Sequence, residues 1–210
     1  MAAELRAAGP SDAAAAVFLA HGAGLGMDAP FMRAVAEGLA GHGLRTIRFE
    51  FPYMAATRAD GKRRPPDRMP ALLARFRAVV ADTPTARVVL AGKSMGARVA
   101  LALCREREAK DLPPSAALCF GFPFHPPGKP DRLRTDAFEN LRTPTLVLQG
   151  SRDPFGTFAE AGGLGLPGCV TLRAVPDGDH GFKPRKASGR TEAGNIADAV
   201  AAAAAFIART

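Results

Sequence analysis

The chain has 210 residues, nearly half of them apolar and about a quarter charged, which fits one globular domain over 1–210 with a real core. Lys and Arg outnumber Asp and Glu by 28 to 20, a net charge of +8, but no RNA-binding or helix-turn-helix signature accompanies the excess, so no nucleic-acid partner is expected. No run approaches the ~20 apolar residues of a membrane helix, no secretory leader is evident, and three cysteines without a CxxC pair read as free thiols, so a cytoplasmic protein without membrane association is expected.

Val17-Phe18-Leu19 is a short apolar run that ends at His21-Gly22-Ala23-Gly24 and predicts a strand. Phe31, Val35 and Leu39 share one helical face, which predicts a helix over 30–40, opened by Asp28 and Pro30 and stopped by Gly41 and Gly43. Leu44, Ile47 and Phe49 predict the next strand. Residues 52–66 carry Arg58, Lys62, Arg63 and Arg64 among prolines and predict a loop, after which Asp67 caps a helix built on Leu72, Phe76 and Val79. Strands are predicted at 88–90, 116–120, 145–149 and 170–172, and helices at 95–108 and 191–207. This alternation predicts a three-layer α/β fold around a minimal, mostly parallel sheet of about six strands. Residues 122–142 are too few for a helical cap, so no lid domain is expected. Ligands of such sheets bind beyond the carboxyl ends of the strands, where the loops discussed next all lie.

Gly92-Lys93-Ser94-Met95-Gly96 reads G-x-S-x-G between a predicted strand and a predicted helix, the context of a nucleophile elbow. Small flanking residues are needed where the two backbones crowd, and the helix start favours developing negative charge. Ser94 is therefore the candidate nucleophile. A serine needs a base within hydrogen-bond reach. His180 lies in Asp177-Gly178-Asp179-His180-Gly181 after the last predicted strand, and Asp153 lies in Gly150-Ser151-Arg152-Asp153-Pro154 after the strand before it. The order Ser, Asp, His is the one this architecture uses, with the carboxylate holding the imidazole Nδ1–H. His125 is a rival base, or else a pocket residue. Asp177 and Asp179 are rival acids, disfavoured by their closeness to His180 in the chain. The backbone N–H of Met95 and that of Ala23, with Gly22 next, are the candidate donors to an oxyanion.

Together these segments resemble the α/β-hydrolase superfamily. The strings around Arg48-Phe49-Glu50-Phe51-Pro52-Tyr53, Phe122-Pro123-Phe124-His125-Pro126 and His180-Gly181-Phe182-Lys183-Pro184 resemble, more particularly, a group of small dienelactone-hydrolase-like proteins. Its animal relatives include a subunit of the non-specific-lethal chromatin complex. The resemblance implies a serine esterase without a cofactor, lacking the first two strands usual to the superfamily. It also implies that the scaffold role of some members is the alternative to catalysis.

Lys93 and the basic residues after Phe49 either contact an anionic part of a small ester or thioester substrate or are solvated surface charges. No His or Cys cluster has metal-ligand spacing, so no metal or cofactor is expected.

Overall fold

The computed structural model describes residues 4–210; residues 1–3 of the single domain expected over 1–210 lie outside it. Seven strands form one sheet: β1 (Leu5–Ala8), β2 (Ala15–Ala20), β3 (Arg45–Phe49), β4 (Arg87–Lys93), β5 (Ala116–Phe120), β6 (Thr145–Gly150) and β7 (Val170–Val175). Their spatial order is β1-β3-β2-β4-β5-β6-β7, parallel throughout except for β1, which runs antiparallel to β3. The sheet thus has one strand more than the six expected from the sequence. Leu5–Ala8 is short and mostly exposed, so it carries little of the apolar alternation that marks a strand.

Six helices cover the sheet: α1 (Pro30–Gly41), α2 (Pro52–Asp60), α3 (Met69–Ala81), α4 (Met95–Glu108), α5 (Phe158–Gly162) and α6 (Glu192–Ile207). Side chains alternate across the strands, and so split into two cores. Val17, Leu19, Val89, Ala91 and Leu118 pack with α1 and α6 on one face. Phe18, Leu90, Cys119 and Val147 pack with α3 and α4 on the other. Among the described residues, no helix is long and apolar enough to cross a membrane.

Residues 52–60 fold into α2, where a loop was expected. The end signals were present: Pro52 occupies the first turn, and Gly61 closes the helix in the left-handed conformation at φ 73°. Asp67 was expected to cap α3 and does not; its Oδ2 accepts from Tyr53 N at 2.9 Å and satisfies an orphan donor of α2 instead. Asp28 likewise leaves the start of α1 to Pro30 and pairs with Arg48 on β3.

After β2 the chain steps outward to β3, then returns past β2 to β4. The direction of winding therefore reverses between β2 and β4. In open parallel sheets that reversal leaves a crevice at the carboxyl ends of the two strands. The loop 21–24 leaves β2 there, and Ser94 leaves β4 beside it.

Candidate active site

Ser94 sits at the junction of β4 and α4 with φ 55° and ψ −115°, a backbone that a residue with a side chain rarely adopts. Such strain persists only where surrounding contacts impose it. The glycines on either side impose it here. A Cβ on Gly92 would stand 2.1 Å from the backbone carbon of Gly96, and one on Gly96 would stand 2.4 Å from the carbonyl oxygen of Ala20. The first turn of α4 is thereby pressed against the end of β2.

His180 Nε2 lies 2.8 Å from Ser94 Oγ, and its Nδ1 lies 2.8 Å from Asp153 Oδ2. The ring stands 4.3 Å from that of Phe155, which covers one side. Asp153 is wholly buried, and its Oδ1 accepts from Phe155 N. Burial holds the His180 imidazole below its ordinary range; the hydrogen bond it donates to Asp153 opposes that shift. A neutral ring with its proton on Nδ1 accepts at Nε2, so Ser94 can pass its proton there.

The Asp153 and His180 loops are held together by backbone contacts. Arg152 N donates to Gly178 O at 3.0 Å, and Ser151 N donates to Val175 O. Gly150 lacks a side chain where a Cβ would overlap the carbonyls of Gly178 and Asp179. The rival acids serve this turn. Asp179 Oδ1 accepts from Gly181 N and Lys183 N, while Asp177 pairs with Arg152 and Arg185.

Gln149 was passed over in the sequence, although it sits at the foot of the Asp153 loop. Its Oε1 accepts from Phe122 N at 2.9 Å; its Nε2 faces Asp153 Oδ2 at 3.1 Å, Gly156 O at 2.6 Å and Phe122 O at 3.1 Å. This fully buried amide fixes the carboxylate from behind. The only signal in the sequence was a polar residue closing an otherwise apolar strand.

The loop after β2 is fixed through its carbonyls. His21 is buried, and burial pushes its imidazole down to about 4, so it is neutral. Its Nδ1 lies 2.7 Å from Gly22 O, and its Nε2 accepts from Phe51 N. The Tyr53 hydroxyl donates to Ala23 O at 2.9 Å. Among the described residues, neither Ala23 N–H nor Met95 N–H has a protein acceptor. A cavity of about 510 Å³ opens over Ser94, walled by Leu25, Phe31, Met32 and Phe155, with Glu192 at its rim.

Two residues expected to touch substrate are placed otherwise. His125 is outside the cavity wall; its Nδ1 faces Pro126 O at 2.9 Å and its Nε2 lies 3.9 Å from Glu160. Lys93 reaches the cavity, but its ammonium donates inward to His180 O. Of the basic residues after Phe49, two are engaged elsewhere: Arg58 pairs with Glu50 and Glu4, and Arg64 with Asp60. Among the described residues, no group of three or more His, Cys, Asp or Glu side chains is arranged to hold a metal ion.

The fold is shared with solved structures at low identity. Dienelactone hydrolase from Anabaena variabilis is 23% identical, with a TM-score of 0.72 over 98% of this chain and 90% of that one. An esterase from Pyrococcus furiosus is 16% identical, with a TM-score of 0.67 over 95% of this chain and 83% of that one. The esterase domain of a Rhodothermus marinus protein is 17% identical, with a TM-score of 0.62 over 98% and 92%. The sequence itself matches the family described as "Alpha/beta hydrolase domain" from residue 13 to residue 208, nearly its whole length, and the chain belongs to that family.

Proposed function

We propose that this protein is a serine hydrolase that cleaves small neutral esters or thioesters through an acyl-enzyme. The continuous chain from Ser94 Oγ through His180 to the buried Asp153 carries the reading. His180 Nε2 takes the Ser94 proton as Oγ attacks the carbonyl, and Asp153 stabilises the resulting imidazolium. The tetrahedral oxyanion accepts from Met95 N–H and Ala23 N–H, at the positive end of α4. Collapse expels the alcohol or thiol, which leaves with the proton from His180. Water, deprotonated by the same ring, then releases the acid and restores Ser94. The dienelactone hydrolase and esterases of the same fold support the reaction class. The likeness to a chromatin-complex subunit carries no part of this reading. The test is treatment of the native protein with a fluorophosphonate and mapping of the adduct by mass spectrometry. One adduct on Ser94 is expected; no adduct, or one elsewhere, overturns the proposal and favours a scaffold.

The cavity walls set the substrate's charge. They are apolar, their rim carries Glu192, and the Lys93 ammonium is already engaged. Neutral esters are therefore expected to exceed carboxylate-bearing esters of equal size by about three-fold or more in kcat/KM, with the gap narrowing as salt rises. Glu192→Gln should narrow it as well. Equal or faster turnover of the anionic ester rules this preference out.

A further inference from the structure

We propose that Lys93 is a positioning residue for His180: its ammonium, caged beside the imidazole, clamps the backbone carbonyl of His180 and sets a fixed positive charge next to the ring. This rests on the serine-hydrolase reading and extends it to a side chain that no acyl-transfer step requires.

A lysine beside a nucleophile ordinarily keeps its ammonium in water. Lys93 does not. Nζ donates to His180 O at 2.5 Å. It stands 5.5 Å from the ring centre of Phe31 and 5.9 Å from that of Phe182, both within cation–π reach, and the two rings meet edge to face at 5.3 Å. Gly121 forms a further wall, with φ 69°. A Cβ there would lie 2.8 Å from Lys93 Nζ, 3.2 Å from His180 O and 3.5 Å from Asp153 Oδ2. The bare backbone of Gly121 leaves the space in which ammonium, carbonyl and carboxylate converge.

Enclosing an ammonium is costly unless partners replace its water. The partners here are one carbonyl and two aromatic faces, with the carboxylates of Asp153 and Asp179 acting as charges at longer range. Burial still dominates and pushes the ammonium down to about 8, which leaves it charged at neutral pH. The clamp adds to the bonds that already hold this glycine-flanked turn, and it alone among them grips the carbonyl of His180 itself. The charge has a separate effect. Asp153 and Asp179 favour the imidazolium of His180, whereas Lys93 and burial oppose it. The ring therefore rests neutral and stays a competent base to lower pH than it would beside the carboxylates alone.

The test measures kcat/KM against pH on one neutral ester for the wild type, Lys93→Met and Lys93→Arg. Lys93→Met is expected to lose about 10–100-fold at its plateau as the ring loses its fixed orientation. Its acid limb should move to higher pH by about half a unit or more, because the charge that opposed protonation is gone. Lys93→Arg retains charge and donors, so its limb should stay near that of the wild type and part of the plateau should return. Each limb is read relative to its own plateau, so a partly unfolded sample does not displace it. An unmoved limb in Lys93→Met, or an equal displacement in Lys93→Arg, overturns the proposal even if activity falls. If the wild type labels with fluorophosphonate and hydrolyses the ester, such a result removes the role of Lys93 alone. A wild type inert to both removes the serine-hydrolase reading and this inference with it.

Discussion

Ser94→Ala is expected to lower kcat by roughly 10⁵–10⁶ and Asp153→Asn by roughly 10⁴, while both proteins remain folded. The two losses have different origins. Alanine removes the atom that attacks, leaving only binding and the backbone donors. Asparagine keeps the shape but reverses a hydrogen bond. Asp153 Oδ2 faces His180 Nδ1 and Gln149 Nε2, and Oδ1 accepts from Phe155 N. Every contact made by the carboxylate is with a donor, so an amide must set its own NH2 against one of them. If the NH2 faces Nδ1, the ring proton moves to Nε2, which can then no longer accept from Ser94. Single-turnover acylation at neutral pH measures both losses. Because the groups act as one unit, the double variant should be no slower than Ser94→Ala by more than a few-fold. Retention of a tenth of wild-type kcat by Asp153→Asn would sink the assignment of this carboxylate. Ser94→Gly provides a thermal check on the same turn. Relieving the φ of 55° should raise stability by about 1 kcal/mol in a dead enzyme.

The residues proposed to carry the chemistry were legible as a group because their types and their positions after strands coincide. G-x-S-x-G between β4 and α4 defines a turn that few other sequences can make, and the loops after β6 and β7 present one Asp and one His in chain order. Charge gave the place of a side chain but not its direction. Lys93 looked like a substrate contact because pattern reading assigns a side chain to a neighbourhood, not to a direction. Its inward turn depends on Gly121, Phe31 and Phe182, three positions remote from it in sequence. Gln149 was hidden for a related reason: its value lies in joining its own loop, at Asp153 and Gly156, to Phe122 in a loop remote from it in sequence. At the sheet edge, β1 has too little burial to leave a periodic trace. Helix α2 was hidden by the charges in and just after it, Arg58 and Arg64, which look like a solvated loop until their partners Glu4, Glu50 and Asp60 are in place.

Gly92→Ala and Gly96→Ala are each expected to destabilise the protein by about 4 kcal/mol or more, at the extreme of single-substitution effects. The obstacle in both cases is backbone. The new methyl of Gly92→Ala would lie 2.1 Å from the carbon and 2.3 Å from the oxygen of Gly96; that of Gly96→Ala would lie 2.4 Å from Ala20 O and 2.7 Å from His21 O. A side chain in the way can rotate, but a carbonyl at the end of β2 cannot move without breaking its pairing with β3 and β4. For a domain of this length such a loss lowers Tm by about 10 °C. Gly41→Ala and Gly162→Ala are the controls: a Cβ at either meets nothing within 4 Å, both are helical, and each should be neutral or stabilising by up to about 1 kcal/mol. Thermal unfolding of the four variants compares them directly, and a Gly92→Ala protein within 1 kcal/mol of wild type would disprove the contact. Activity should fall further than the folded fraction explains. Pushing α4 away from β2 would displace Met95 N–H relative to Ala23 N–H, so any population that still folds is expected to lose the pair of donors proposed for the oxyanion.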